Sequence, residues 1–286
     1  MSAPPSVTDA HIHVQPWRSM NPAAQELMRR GQADWESVSR LLDSPDEFLR
    51  FLDREGVERA LLINYVAPEV MGFTSDVNEW VLGFVRGHAD RLLACGAVHP
   101  RHSEDPGDEV QYLVERGIRC LKIHPPHMLF AADEYLRGME GLRAVYEWAE
   151  ALRVPVMVHT GTSVFPGARN RHADPIACDD VAVDFPKLRL ILAHAGRPLY
   201  GPTAQFLARR HENVFLDLSG IPPRRLLHYV PDLPRLSGKC LWGTDWPAMG
   251  VPGLRRNVDE FLAIDALTDD QKSAVLAGNA DRLFPR

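Results

Sequence analysis

The sequence predicts one α/β domain, a (β/α)₈ or TIM barrel, because short strand-like segments alternate with longer helix-like segments along all 286 residues. A second observation supports this fold class: polar side chains follow several of the apolar strand segments, at the ends where barrel active sites form. A doubly wound open sheet is the alternative. It usually has fewer strands and often a glycine-rich first turn, which this sequence lacks.

Eight short apolar runs are the strand candidates, and in order they are SVTDAHIHV (6–14), ERALLINYV (58–66), LLACGAVHP (92–100), IRCLKIHPP (118–126), VPVMVHT (154–160), LRLILAHAG (188–196), NVFLDLSG (213–220) and KCLWGTDWP (239–247). Between them lie segments with apolar residues at three- and four-residue spacing, which is typical of helices that pack one face on a sheet.

Two helices have readable boundaries. Ser44 is the expected N-cap of the helix before the second strand, with Pro45 and Glu47 in its first turn and Gly56 as its stop. The last helix is expected to begin after Thr268 and to end near Gly278.

Residues 15–43 are the one long insertion, and they follow the first strand. An insertion at this place should fold over the mouth of the barrel as a lid. No stretch of low complexity separates a second domain, so we expect residues 1–286 to form a single barrel domain, closed by a C-terminal helix.

Composition excludes several classes of partner. The formal net charge of −6 and the lack of a basic cluster argue against nucleic acid. Apolar runs fall short of the roughly 20 residues that span a bilayer, and residues 1–9 lack the features of a secretory signal. Four scattered cysteines are typical of reduced core residues. We therefore expect a cytoplasmic protein that acts on a small molecule.

The first strand places Asp9, His11 and His13 at alternate positions, so all three side chains share one face. His159, His194 and Asp245 each follow a later apolar strand directly. Buried polar groups of this kind need partners or an ion. Imidazoles and a carboxylate that converge at a barrel mouth suit Zn²⁺ or a similar divalent ion.

These segments resemble the amidohydrolase superfamily, through DAHIHV, VHTG, AHAG, GTDWP and the closing GNADRLF. The similarity covers residues 7–285, and it implies that residues 1–286 form a single metal-dependent hydrolase-type TIM-barrel domain. It is greatest to the amidohydrolase-related branch, which includes aminocarboxymuconate-semialdehyde decarboxylase, resorcylate-type decarboxylases and hydrolases.

The resemblance implies that His11, His13, His159 and Asp245 are metal ligands. It implies acid/base work or orientation of a water for His194, with a further metal ligand or support of Asp245 as alternatives. Asp245 can also accept the proton of the attacking water. We expect one divalent ion rather than two, with Zn²⁺ first and Mn²⁺ second. The resemblance also makes a homodimer an option.

Lys122 and His124 share a face of the fourth strand and are expected to point inward. In two-metal relatives a carboxylated lysine bridges the ions at this place. A cation that holds a substrate carboxylate or polarises a carbonyl is the preferred role for Lys122. His124, Arg169, Arg171 and Trp246 are further candidates for substrate contact.

The leading function is metal-dependent hydrolysis of a small, carboxylate-bearing ester, lactone or amide by an activated water, with Asp245 and His194 as catalytic residues. A metal-dependent non-oxidative decarboxylase of a small aromatic or unsaturated acid is the alternative. The chain is shorter than the decarboxylases of this branch and carries Lys122, which favours hydrolysis. A non-catalytic metal-binding scaffold is the third option.

Overall fold

The computed structural model describes residues 5–286 except Ala33, Met249, Gly250 and Pro252. Eight parallel strands form one sheet in the order β1 to β8. The strands are β1 (Thr8–Ile12), β2 (Arg59–Ile63), β3 (Leu92–Gly96), β4 (Ile118–Ile123), β5 (Val156–His159), β6 (Leu190–Ala193), β7 (Val214–Asp217) and β8 (Cys240–Leu241). Each lies within a segment that the sequence predicts as a strand.

The sheet closes on itself between β1 and the segment that follows β8. Ala10 N donates to Trp242 O at 2.9 Å, Asp245 N to His11 O at 2.8 Å, and His13 N to Trp246 O at 2.8 Å. These bonds complete a barrel, which confirms the predicted fold class. They also fix Asp245 beside the two histidines of β1.

Helices surround the barrel and alternate with its strands. They are α1 (Pro22–Gly31), α2 (Trp35–Asp43), α3 (Pro45–Glu55), α4 (Asp76–Phe84), α5 (Pro106–Glu115), α6 (Pro125–Met128), α7 (Glu140–Ala151), α8 (Ala177–Asp184), α9 (Gly201–Arg210), α10 (Leu226–Tyr229), α11 (Leu233–Leu236), α12 (Leu254–Leu262), α13 (Asp269–Ser273) and α14 (Asn279–Leu283).

The predicted caps are present. Ser44 Oγ accepts from Glu47 N at the start of α3, and Gly56 ends that helix with φ of +74°. Thr268 caps α13 in a reciprocal arrangement with Gln271. The expected stop at Gly278 is wrong, because this glycine has right-handed helical angles and the chain continues through a π-turn into α14. Without a left-handed residue, the helix has no reason to end there.

The insertion after β1 contains α1 and α2, and its Trp17 and Met28 side chains line the cavity described below. The Trp17 ring meets the ring of Trp35 edge-on, with centroids 5.4 Å apart. Within the described residues, no helix is long and apolar enough to cross a membrane. The four cysteines are buried and unpaired, as the sequence predicts.

Candidate functional site

The barrel brings three predicted ligands together at the carboxyl ends of β1 and β8. The Nε2 atoms of His11 and His13 lie 3.3 Å apart. Asp245 Oδ1 lies 3.5 Å from the former and 3.1 Å from the latter. Ligands about 2.0–2.2 Å from a tetrahedral ion are separated by similar distances. The donor set therefore fits one divalent ion in chemistry and in spacing.

His194 also belongs to this cluster, since ligand atoms of His11, His194 and Asp245 all lie within 4.8 Å of one another. His159 contacts the cluster through His194, with His159 Nδ1 at 3.2 Å from His194 Nε2. The other ring nitrogen of His159 is buried and has no hydrogen-bond partner among the described residues. The structure thus places both histidines at the site, with His194 nearer to His11 and Asp245.

A buried pair on β7 and its loop, Asp217 and Ser219, orients two of these rings. Asp217 Oδ2 lies 2.6 Å from His11 Nδ1 and accepts from Ser219 Oγ at 2.6 Å. Since the Ser219 proton is used there, its oxygen accepts from His194 Nδ1 at 2.9 Å. This network leaves a lone pair on Nε2 of both His11 and His194, as a metal ligand requires.

Sequence reasoning missed Asp217, although an acid directly after the apolar run VFL was the available signal. Burial raises the pKa of Asp217 to about 6, against the lowering effect of the Ser219 hydrogen bonds. Since this pKa still lies below 7, the ionised form is the main one at neutral pH, and it accepts a hydrogen bond from His11 Nδ1.

Asp9, the first polar residue of the β1 motif, stabilises the junction between β1 and β8. Its carboxylate accepts from His11 N at 3.0 Å, from Thr244 N at 3.1 Å and from Thr244 Oγ1 at 2.7 Å. It is fully buried and faces the backbone of the two ligand-bearing segments. Asp9 therefore positions the ligands rather than contacting an ion.

Two site residues adopt left-handed backbone angles that side chains rarely take, with φ of +62° at His194 and +68° at Asp245. Such conformations cost of order 1–3 kcal/mol and cluster at functional sites. The hydrogen bond from Asp245 N to His11 O at 2.8 Å helps to hold this geometry.

A cavity of about 240 Å³ opens beside the cluster, and its walls mix apolar and polar side chains. They include Trp17, Met28, Tyr65, Met71, Phe165, His13, Lys122, His124, His127, His159, His194, Arg197 and Asp245. The predicted inward direction of Lys122 and His124 is thus observed.

Three stacked imidazoles form one wall of this cavity. His124 lies nearly parallel to His127 and to His159, with ring centroids 3.6 and 3.8 Å away. His127 is flanked by the Tyr65 hydroxyl at 3.1 Å and the Ser163 hydroxyl at 2.7 Å. Burial lowers the pKa of His127 to about 3, so its ring is neutral at physiological pH.

Lys122 lies on β4 and is only 1% exposed. Its Nζ atom has no hydrogen-bond partner among the described residues. Burial lowers the pKa of Lys122, although nearby Asp217 opposes this shift. Burying an amine without a hydrogen-bond partner costs folding free energy unless a bound group supplies the missing partner.

Arg197, which follows AHAG, also lines the cavity and was missed by sequence reasoning. Its Nη2 atom lies 3.9 Å from Asp245 Oδ2. The other predicted substrate contacts lie elsewhere. Arg169 and Arg171 are exposed and do not line the cavity, and Trp246 packs on Phe51 with ring centroids 4.9 Å apart.

The amidohydrolase family model matches residues 8–286, and the chain therefore belongs to the amidohydrolase family. It is accordingly an enzyme of that superfamily, which sets aside a non-catalytic scaffold. No curated protein sequence matches the chain.

Three solved structures illustrate the shared fold. An uncharacterized TIM-barrel protein from Bordetella bronchiseptica has a TM-score of 0.75 at 18% identity, over 97% of this chain and 98% of its own. A dihydroxybenzoic acid decarboxylase from Polaromonas sp. JS666, with bound manganese and the inhibitor 2-nitroresorcinol, has a TM-score of 0.70 at 19% identity. The match covers 98% of this chain and 97% of the decarboxylase. A 4-oxalomesaconate hydratase from Rhodopseudomonas palustris scores 0.66 at 18% identity over 98% and 95%.

Proposed function

We propose that this enzyme is a metal-dependent hydrolase of a small, carboxylate-bearing ester, lactone or amide. The observation that carries the proposal is the position of Asp245. One of its oxygens lies 3.5 Å from His11 Nε2 and 3.1 Å from His13 Nε2, and the other lies 3.9 Å from Arg197 Nη2 at the cavity. A carboxylate in this position is able to take a proton from a water molecule beside the ligand cluster.

His11, His13, His159 and Asp245 would hold the ion, with His194 next to them. When bound, a divalent ion such as Zn²⁺ or Mn²⁺ lowers the pKa of water and polarises a carbonyl group. The manganese in the similar decarboxylase supports Mn²⁺ as the second choice.

The chain's own residues then supply the remaining chemistry. Asp245 accepts the proton of the attacking water and returns it to the leaving group, and His194 is the second candidate for this role. Lys122, whose Nζ atom has no hydrogen-bond partner among the described residues, orients a carbonyl or carboxylate of the substrate. The stacked rings of His124 and His127 provide a flat wall for the substrate.

Non-oxidative decarboxylation is the second candidate, because several similar structures are dihydroxybenzoate decarboxylases. Lys122 would then bind the carboxylate group that leaves as CO₂. In that reaction Asp245 or His194 delivers a proton to carbon instead of taking one from water.

Parallel assays of the purified enzyme distinguish the two reactions. One measures base consumption with a panel of carboxylate-bearing lactones, esters and amides, and the other measures CO₂ release from hydroxybenzoates. Each is run before and after removal of metal with a chelator and after addition of Zn²⁺ or Mn²⁺. Metal-dependent base consumption supports hydrolysis, whereas metal-dependent CO₂ release alone would replace it with decarboxylation.

A further inference from the structure

The backbone of Arg197 is fixed tightly beside the candidate metal centre. Arg197 N donates to His194 O at 3.0 Å, and its carbonyl oxygen accepts from Thr162 N at 3.1 Å. The loop after β5 approaches so closely that a Cβ atom on Gly161 would lie 2.3 Å from Arg197 O. Two loops thus determine where this side chain starts.

The guanidinium group lies against a glycine of a third loop. A Cβ atom on Gly220, which has φ of +65°, would lie 2.3 Å from Arg197 Nη2. Gly220 follows Ser219, the residue that orients His194. The loop after β7 therefore both supports a ligand-cluster histidine and leaves a slot for the guanidinium.

This cation lacks a full set of partners among the described residues. Its Nε atom is buried without a hydrogen bond, and the 3.9 Å separation from Asp245 is too long for one. The side chain is 29% exposed, at the cavity beside the ligand cluster and at a neighbouring cavity of about 230 Å³.

The side chains that line the cavity beside the ligand cluster carry more positive than negative charge. Among the described residues that line it, Lys122 and Arg197 are cationic side chains, whereas Asp245 is the single carboxylate. A divalent ion would add further positive charge. A substrate that brings an anionic group would balance these charges and bind more favourably than a neutral one.

We propose that Arg197 is the anion-binding residue of this site, and that it selects substrates bearing a carboxylate group next to the scissile bond. This inference rests on the proposed function, and it identifies Arg197 as the residue that determines the preference for carboxylate-bearing substrates. A planar guanidinium donates two parallel hydrogen bonds to a carboxylate, and this geometry gives specificity as well as affinity.

The test compares the binding of benzoate with that of its neutral isostere benzamide to the metal-loaded enzyme, by titration calorimetry. The wild type should prefer benzoate. R197A and R197M should lose about 10- to 100-fold of that preference, the usual worth of a charge-assisted hydrogen bond, and R197K should keep part of it. R210A, which removes an exposed arginine of α9 that pairs with Asp179, is the matched control and should behave as wild type.

A second variant moves the guanidinium without removing it. G220A places a methyl group in the slot and should lower the benzoate preference. G87A is its control, because Gly87 also has a positive φ, of +84°, but has nothing within 4 Å of the added atom. Both variants carry similar backbone strain, so only the first should change binding.

Several results would overturn the proposal. The first is a wild-type enzyme that binds neither benzoate nor benzamide, or binds both equally. The second is an R197M enzyme that keeps the full preference for benzoate. The third is loss of this preference in R171A instead of in the Arg197 variants. Failure of the proposed hydrolysis is recognised separately, because the binding measurement requires no turnover. If the enzyme prefers benzoate through Arg197 but hydrolyses no substrate of the panel, the anion-binding role of Arg197 stands and the proposed hydrolysis is wrong.

Discussion

The two sides of the cavity differ in how their polar atoms are satisfied. On the β1/β8 side, His11 and Asp9 are bound to Asp217, Thr244 and the backbone through contacts of 2.6 to 3.1 Å. His13 Nδ1 is the exception on this side, since it is buried without a partner among the described residues. On the β4/β5 side, Lys122 Nζ, His124 Nδ1 and His159 Nε2 are buried without partners among the described residues.

This difference assigns separate tasks to the two sides. A network that fixes ring orientation and tautomer is what a metal ligand needs before the ion arrives. Buried groups that lack partners are costly unless something else completes them. We therefore interpret the β1/β8 side as the preformed part of the ion site, which His159 of β5 would complete, and Lys122 and His124 of β4 as the surface that receives the substrate.

The largest effect is expected on the β1/β8 side from D245N. Loss of the carboxylate removes a ligand and the base together, so kcat/KM should fall by about 10²- to 10⁴-fold while the far-UV circular dichroism stays unchanged. D259N, an exposed aspartate of α12 paired with Arg255, is the matched control. Unchanged activity in D245N would disprove the site assignment.

D217N should have the next largest effect, because it removes the negative charge and leaves one acceptor oxygen where Asp217 uses two, for His11 and Ser219 on one and for Ser219 N on the other. Metal affinity should fall by about 10- to 100-fold, measured by competition with a coloured chelator. If D217N binds the metal as tightly as D259N does, the network on this side does not prepare the ion site.

K122M tests the β4/β5 side, where the substitution should increase stability and decrease activity. Removing the buried amine should raise the free energy of unfolding at pH 7 by about 1–3 kcal/mol and lower kcat/KM. Chemical denaturation and steady-state kinetics measure the two effects. A variant that is both less stable and fully active would show that Lys122 is a structural residue.

The stability gain of K122M should depend on pH. Burial holds the pKa of Lys122 below its ordinary value of 10.5, so between these pKa values the unfolded chain binds a proton that the folded chain lacks. Wild-type stability therefore rises with pH across this interval. The advantage of K122M should be largest below the lowered pKa and should disappear towards pH 10.5.

The smallest effect on the site is expected from S44A, which removes the N-cap of α3 at a residue that does not line the cavity. It should cost about 1 kcal/mol of stability, seen in chemical denaturation, and leave kcat/KM and metal content unchanged. A loss of activity comparable to that of K122M would mean that α3 is coupled to the site.

Much of the fold and part of the site could be predicted from local sequence. The strands were recognisable because each is a short apolar run, and Lys122 and His124 because side chains alternate along β4. These features depend only on neighbours in the chain. The same holds for the caps at Ser44 and Thr268.

The rest depends on contacts between distant segments. Arg197 gains its place from Gly161 and Gly220, which lie in two other loops, so its own sequence context did not single it out. The direction of Arg169 and Arg171 depends on the path of a long loop, which has no readable period. Whether His159 or His194 lies nearer to Asp245 is decided by packing across three strands.

The decisive measurement of the proposed ion site is the metal content per chain, obtained by elemental analysis of untagged protein purified without added metal or chelator. We expect one equivalent of zinc or manganese, lost in D245N and retained in K122M. H102A should be measured beside them, because ligand atoms of Glu69, His99 and His102 also lie within 4.8 Å of one another. A protein that holds no metal and takes up none on addition of Zn²⁺ or Mn²⁺ would contradict the account.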